Sequence, residues 1–127
     1  MLIRLDFESD TPIYAQLRDQ VVIGIADGSL EAGEALPSVR RMAADIGVHA
    51  HTVNKSYSLL RDEGYIVMDR RSGCHVRHSA QPADEAFHSA IARKLLPLAA
   101  EAACHGLSAE DFGSFCKKIR TGLEGSP

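Results

Sequence analysis

The side chains best suited to metal or covalent chemistry in this chain are three cysteines and six histidines, and most of them stand in close pairs. His49 and His51 flank an alanine in GVHAHTVNKSY, residues 47–57, while Cys74 adjoins His75 and Cys104 adjoins His105. Metal ligands on a helix share a face when they are three or four residues apart, whereas the i and i+2 positions of His49 and His51 diverge. If position 49 belongs to a turn the constraint loosens, and His75, His78 or Cys74 could complete a set, which keeps a metal-responsive regulator as an alternative. Cys104 is expected to be a buried thiol beside a histidine that closes a helix, where an imidazole suits the negative end of the dipole. A nucleophilic cysteine needs a base and an orienting group, and on a strand Cys74 and His75 point to opposite faces. No catalytic residue, no metal and no cofactor is therefore expected.

A second set of residues suits a different task. If Val53, Tyr57 and Leu60, at i, i+4 and i+7, mark the buried face of a helix, then His51, Asn54, Lys55 and Ser58 face outward, with Thr52 in the first turn. No carboxylate follows on that face until Asp62. Such a surface fits a duplex: Lys55 neutralises a phosphate, Thr52 and the free N–H groups of the first turn hold another, and Asn54 and His51 reach base edges. A merely solvated helix face has similar residues, so the neighbours decide. Arg40 and Arg41 follow Ser38 on the preceding element, and Arg70, Arg71 and Arg77 lie on or beside a later hairpin, which brings cations from three elements. The charge distribution agrees. The chain carries −3 overall, yet residues 37–78 hold seven basic and four acidic side chains, whereas residues 1–36 hold two and seven.

The elements that must position these groups follow from periodicity and punctuation. Thr11-Pro12 predicts a helix start, with threonine as N-cap and proline in the first turn, before Ile13, Leu17, Val21 and Ile25; the helix ends near Gly28. Gly28, Gly33 and Pro37 break the connector GSLEAGEALP, and Ser38 caps a short helix carrying Val39, Met42, Ala43 and Ile46. Gly47 stops that helix in the left-handed conformation, and a third runs from about residue 50 to Glu63. YIVMD, the turn RRSG and CHVRH predict two strands in a hairpin with Gly73 at positive φ; two strands alone are marginal, so they must pack on the helices. Pro82 is expected to open an alanine-rich helix with Phe87, Ile91, Leu95, Leu98 and Ala102 on one side and a kink at Pro97. His105-Gly106 closes it, Ser108-x-x-Asp111 caps another carrying Phe112, Phe115, Ile119 and Leu123, and the final GSP frays.

Two helices joined by a tight glycine turn and followed by a hairpin make the order of a winged helix-turn-helix, whose second helix enters the major groove. The segments PIYAQL, ALPSVRRMAADIGVHAHTVNKSYSLLRDEGYI and RRSGCHV resemble the DNA-binding domain of the GntR family of bacterial transcription regulators, over roughly residues 11–77. The short tail, with its helix-HGLSAEDF-helix form, is similar to the YtrA-type branch. That resemblance implies a mainly α fold with a small β-hairpin, in which residues 1–78 form a winged helix-turn-helix domain and residues 79–127 a helical dimerisation tail. It also implies phosphate or base contacts at Ser38 and Arg40, a phosphate contact at Thr52, recognition-helix contacts at Asn54 and Lys55, and wing positions near the minor groove at Arg71 and Gly73. The surface chemistry adds Arg41, His49, His51, Arg70 and His75. Positions 49 and 51 often carry asparagine in this branch, and Cys74-His75 replaces the small hydroxyl and aromatic residues usual after the wing glycine.

The expected function is that of a sequence-specific transcription regulator, a repressor, acting as a homodimer on double-stranded DNA with a partly palindromic operator. A tail of this size cannot bury both apolar stripes on itself, so Phe87, Ile91, Leu95, Leu98, Phe112, Phe115 and Ile119 are expected at an intermolecular interface. The short tail leaves room for a small-molecule effector or none. A rival from another class is a winged helix that meets an acidic protein partner. No apolar run approaches the roughly 18 residues of a membrane span, and MLIRLDFESD lacks the order of a signal peptide, so a cytoplasmic protein without a membrane partner is expected.

Overall fold

The apolar spacing becomes five helices and one hairpin in the computed structural model, which describes residues 3–79 and 81–124. In chain order these are α1 (Ile13–Asp27), α2 (Val39–Ile46), α3 (Ala50–Asp62), β1 (Ile66–Asp69), β2 (Gly73–Val76), α4 (Glu85–Cys104) and α5 (Ala109–Gly122). The chain divides into two units, one up to residue 80 and one from residue 81 onward.

In the first unit α3 packs against α1, α2 and β1 and lies at the centre of the core. Its buried face is Val53, Ser56, Tyr57 and Leu60, which meets Leu17 and Val21 of α1, Met42 and Ala43 of α2, and Ile66 of β1 in one cluster. Each large apolar side chain removed from water in this way contributes about 1.5–3 kcal/mol. Tyr57 is fully buried, and its hydroxyl donates to the Pro37 carbonyl at 2.9 Å, which ties the third helix to the lead-in of the second. Burial also holds that hydroxyl protonated above its ordinary range. A second tie joins α1 to the end of α3, where the Arg18 guanidinium donates to both Glu63 oxygens at 2.9 and 3.2 Å. Burial opposes the Arg18 charge, but the bonds to Glu63 and Asp19 outweigh it and raise its pKa.

The turn between α2 and α3 depends on Gly47, which sits at φ 71° and donates its N–H to Ala43 O. A side chain there would be strained because its Cβ crowds the backbone in left-handed conformations. Ser38 caps α2 as expected, its Oγ accepting from the Arg41 N–H at 3.1 Å. The start of α1 differs from the sequence expectation. Pro12, not Thr11, is the residue before the helix, and no side chain caps it. Gln16 organises the lead-in instead: its Nε2 donates to the carbonyls of Thr11 and Asp6 at 2.8 and 2.9 Å, and its Oε1 accepts from the Asp6 N–H at 2.8 Å.

The hairpin pairs Ile66 with Val76 through to Asp69 with Gly73, so the strands are shorter than expected and Gly73 belongs to β2 rather than to the turn. Cys74 and Val76 face the core, and His75 lies between them on the other side. The connector before α2 supplies what a lone hairpin lacks. Ala35 bridges His75, with bonds from Leu36 N–H to Cys74 O and from Val76 N–H to Glu34 O, both 2.8 Å. Gly33 beside this bridge has φ 79°, a conformation that strains any other residue, and a Cβ on it would displace the exposed His78 ring, whose Cε1 lies 2.5 Å away.

In the second unit α4 starts at Glu85 with Asp84 as N-cap, three residues after Pro82, because the Asp84 carboxylate accepts from the Phe87 N–H at 2.8 Å and fixes the first turn there. The helix runs through Pro97, whose ring removes one backbone donor. His105 is its C-cap, but Cys104 is exposed rather than buried, since it lies off the apolar stripe in the last turn. Ser108 caps α5, accepting from the Asp111 N–H at 3.0 Å. The final Gly-Ser-Pro, expected to fray, lies outside the described residues.

Candidate nucleic-acid interface

Three elements of the first unit carry the expected contact residues. On α3 the buried face turns His51, Asn54 and Lys55 to solvent and leaves Thr52 half-buried in the first turn. His49 is the N-cap residue, in extended conformation at φ −70° and ψ 144°, and its side chain makes no capping bond. The Thr52 and Val53 N–H groups turn back to the His49 carbonyl at 3.0 and 3.3 Å, which leaves those of Ala50 and His51 to face an anion, with the helix dipole behind them.

On α2, Ser38 uses an Oγ lone pair for its cap and keeps its hydroxyl proton to donate outward. Arg40 is exposed, and among the described residues neither it nor Lys55, Arg70 or Arg71 forms an ion pair. Arg41 differs, because its Nε lies 3.2 Å from Asp45 Oδ1 one turn on, which offsets part of its charge.

At the hairpin tip Arg70 and Arg71 are exposed, and the turn that presents them is held by Asp69, whose Oδ1 accepts from the Arg71 N–H at 2.9 Å. That bond, with one from Ser72, keeps the Asp69 carboxyl below its usual range. Gly73 has φ 77°, with open space where a Cβ would lie. The structure brings the N-terminus of α2 and this tip together: Ser38, Tyr57, Asp69, Arg70 and Gly73 line one cleft of about 330 Å³. His75 is not on that cleft. It is half-buried and lies 5.7 Å, ring to ring, from His78. Arg77 lies past the opposite end of β2 from the tip, where its Nη1 reaches the Gly64 carbonyl at 3.5 Å.

Two features escaped sequence reasoning. Lys55 Nζ stands 4.0 Å from the centre of the Tyr14 ring, and no local pattern joins residues 41 positions apart. The Tyr57–Pro37 bond was equally invisible, although a tyrosine amid an apolar stripe signals a buried hydroxyl that needs an acceptor.

The remaining chemistry points away from catalysis at Cys74. Burial pushes its thiol up to about 11, so it stays protonated near neutrality and cannot attack. Among the described residues no three His, Cys, Asp or Glu side chains converge to hold a metal ion.

The second unit has a different surface. No residue of α4 or α5 is buried, and Phe115 and Ile119 are 55% and 58% exposed. Ile91, Leu95 and Leu98 of α4 and Phe112, Phe115 and Ile119 of α5 line one apolar groove of about 540 Å³. Phe87 is exposed but lies outside this groove.

Comparison with known proteins gives a consistent picture. Residues 13–76 match the family model described as bacterial regulatory proteins, gntR family. The chain is 31% identical over 125 residues to the HTH-type transcriptional repressor YtrA of Bacillus subtilis (strain 168), covering 98% of this chain and 96% of that one. A solved structure, YtrA from Sulfolobus acidocaldarius, a GntR-family transcription factor, is 40% identical with a TM-score of 0.62, over 75% of this chain and 98% of its own. The crystal structure of a transcriptional antiterminator from Listeria monocytogenes EGD-e shares the fold, with a TM-score of 0.89 over 99% of this chain and 95% of that one at 21% identity.

Proposed function

Because the chain belongs to the gntR family of bacterial regulatory proteins and is a DNA-binding transcription regulator, we propose that two copies pair through their α4–α5 units and act as a repressor on a partly palindromic operator. Each copy lays α3 in a major groove, with half-sites about 34 Å apart. Ser38, Arg40, Arg41, Thr52 and Lys55 hold phosphates, while His49, His51 and Asn54 face phosphates or base edges at the start of α3. Arg70 and Arg71 reach toward the adjacent minor groove on a turn that Gly73 lets approach closely, and His75 supports the wing behind them. The partner is double-stranded DNA, the place of action is the cytoplasm, and no catalysis is involved. Among the described residues, no helix is long and apolar enough to cross a membrane.

The observation that carries the DNA reading is the exposed face of α3, which presents hydrogen-bonding groups and a cation in the same unit whose cleft gathers Ser38 and Arg70. Pairing is supported by α4 and α5, two amphipathic helices that bury none of their own residues and leave an apolar groove open. A second copy laid into that groove removes from water the surface that one chain leaves exposed.

The four cations Arg40, Lys55, Arg70 and Arg71, which form no ion pair among the described residues, give a dimer enough charge to neutralise about eight phosphates, hence a slope near −7 in log affinity against log salt. Sedimentation of the full chain at micromolar concentration, with titration of duplex DNA at two salt concentrations, tests both parts. A dimer whose affinity falls about 10⁴-fold between 50 and 200 mM salt is expected. A monomer, or an affinity indifferent to salt, refutes the corresponding part.

A further inference from the structure

Lys55 is the cation of the recognition helix that forms no ion pair among the described residues, and its ammonium lies against a ring: Nζ stands 4.0 Å from the centre of Tyr14 on α1. Other cations of this unit are held differently. Arg41 pairs with Asp45 and Arg61 with Asp62, contacts that offset part of the positive charge they steady. An aromatic ring attracts a cation through its quadrupole and carries no net charge, so it can order an ammonium and leave its full charge to act on a third group. At 4.0 Å the ring covers one side of the ammonium, and the remaining N–H donors are open to a phosphate.

We propose that Tyr14 is a positioning residue for DNA binding, which holds Lys55 in its phosphate-binding conformation before DNA arrives. This rests on the assignment of Lys55 to the interface made above. A lysine free to sample its rotamers loses that freedom when it grips a phosphate, whereas one already seated on a ring loses less. Tyr14 is itself fixed, half-buried in the first full turn of α1, which packs on α3. The gain cannot exceed the strength of the ring–ammonium contact, so at an exposed site it corresponds to about a two- to five-fold change in affinity.

The test is a double-mutant cycle on the full chain with a random-sequence DNA duplex at fixed salt, using Tyr14→Leu, Tyr14→Phe, Lys55→Met and the Tyr14→Leu/Lys55→Met pair. Tyr14→Leu is expected to weaken binding about two- to five-fold, Tyr14→Phe to match the parent because the ring remains, and Tyr14→Leu to have no further effect once Lys55 is replaced. Any general loss of packing from Tyr14→Leu appears equally with and without Lys55, so the cycle separates it from positioning. An equal loss in both backgrounds, or a Phe variant as weak as the Leu variant, overturns the role of Tyr14 alone. If Lys55→Met binds like the parent with an unchanged salt slope, Lys55 is not at the interface, and the proposal falls together with that assignment.

Discussion

Replacing His49 with serine probes how far the recognition helix gives up stability to keep its N-terminus open. The three helices that start after Ser38, Asp84 and Ser108 have a side-chain oxygen accepting from the N–H three residues on, at 3.1, 2.8 and 3.0 Å. His49 already has the extended backbone of an N-cap but offers no such bond. A serine there can accept from the Thr52 N–H. Good caps are worth about 0.5–2 kcal/mol, and because the Thr52 N–H already reaches the His49 carbonyl at 3.0 Å, the lower part of that range, about 0.5–1 kcal/mol, applies. For a unit of this size, thermal unfolding followed by circular dichroism should then show Tm rising by about 2–8 °C. Affinity for duplex DNA should move the other way, falling about three-fold, since an imidazole assigned to phosphates or base edges is lost from the start of α3. An unchanged or lower Tm means that the end of α3 is not uncapped in solution. A higher Tm with unaltered affinity removes position 49 from the interface.

Other consequences can be checked alongside it. Arg40→Ala should lower the salt slope of DNA binding by about 2 per dimer while Tm holds, because the side chain is exposed and unpaired among the described residues; a lower Tm with an unchanged slope would make it structural. Ile119→Asp adds a carboxylate to a position that is 58% exposed in one chain and lies on the face proposed for pairing, so sedimentation should report monomers and duplex binding should weaken; an intact dimer would move the interface elsewhere. At pH 8 iodoacetamide should label exposed Cys104 and spare Cys74, whose thiol, pushed up to about 11, is only about 10⁻³ thiolate. Burial raises the folded value above the ordinary 9.0, so the stability that neutral Cys74 contributes is complete below pH 9 and is lost as pH rises through about 11, which alkaline melts would register. Rapid native labelling of Cys74 would contradict its burial.

The elements legible in the chain are those whose stabilising contacts are local. Ser38 before an apolar i, i+3, i+4, i+7 run, Gly47 where a helix must stop, and Ser108 three residues before Asp111 each place a boundary by chemistry within one turn, and each boundary falls where the spacing predicts. Where two local signals competed, the stronger bond won: Asp84 overrides Pro82 as the start of α4, since proline tolerates a first turn but supplies no cap. Strand alternation likewise told that Cys74 and His75 point to opposite faces, and the structure turns Cys74, with Val76, to the core.

The candidate interface was legible in part, because exposure on α3 follows from the buried stripe of Val53, Tyr57 and Leu60. Which cations keep their charge was not, since Arg41 meets Asp45, Lys55 meets Tyr14 and Arg77 reaches Gly64 only once rotamers and neighbouring elements are set. The connector around Ala35 looked like a helix-breaking loop because its pairing partner, His75, lies 40 residues on and carries no local trace. Sequence by itself determined the elements, the buried face of α3 and the types of group exposed beside it, since these depend on spacing and turn chemistry within a few residues. Only the tertiary structure decided the third strand-like bridge behind the hairpin, the cleft that joins Ser38 to Arg70 and the ring beneath Lys55, because each is a meeting of groups distant in sequence whose geometry exists only when the core has closed.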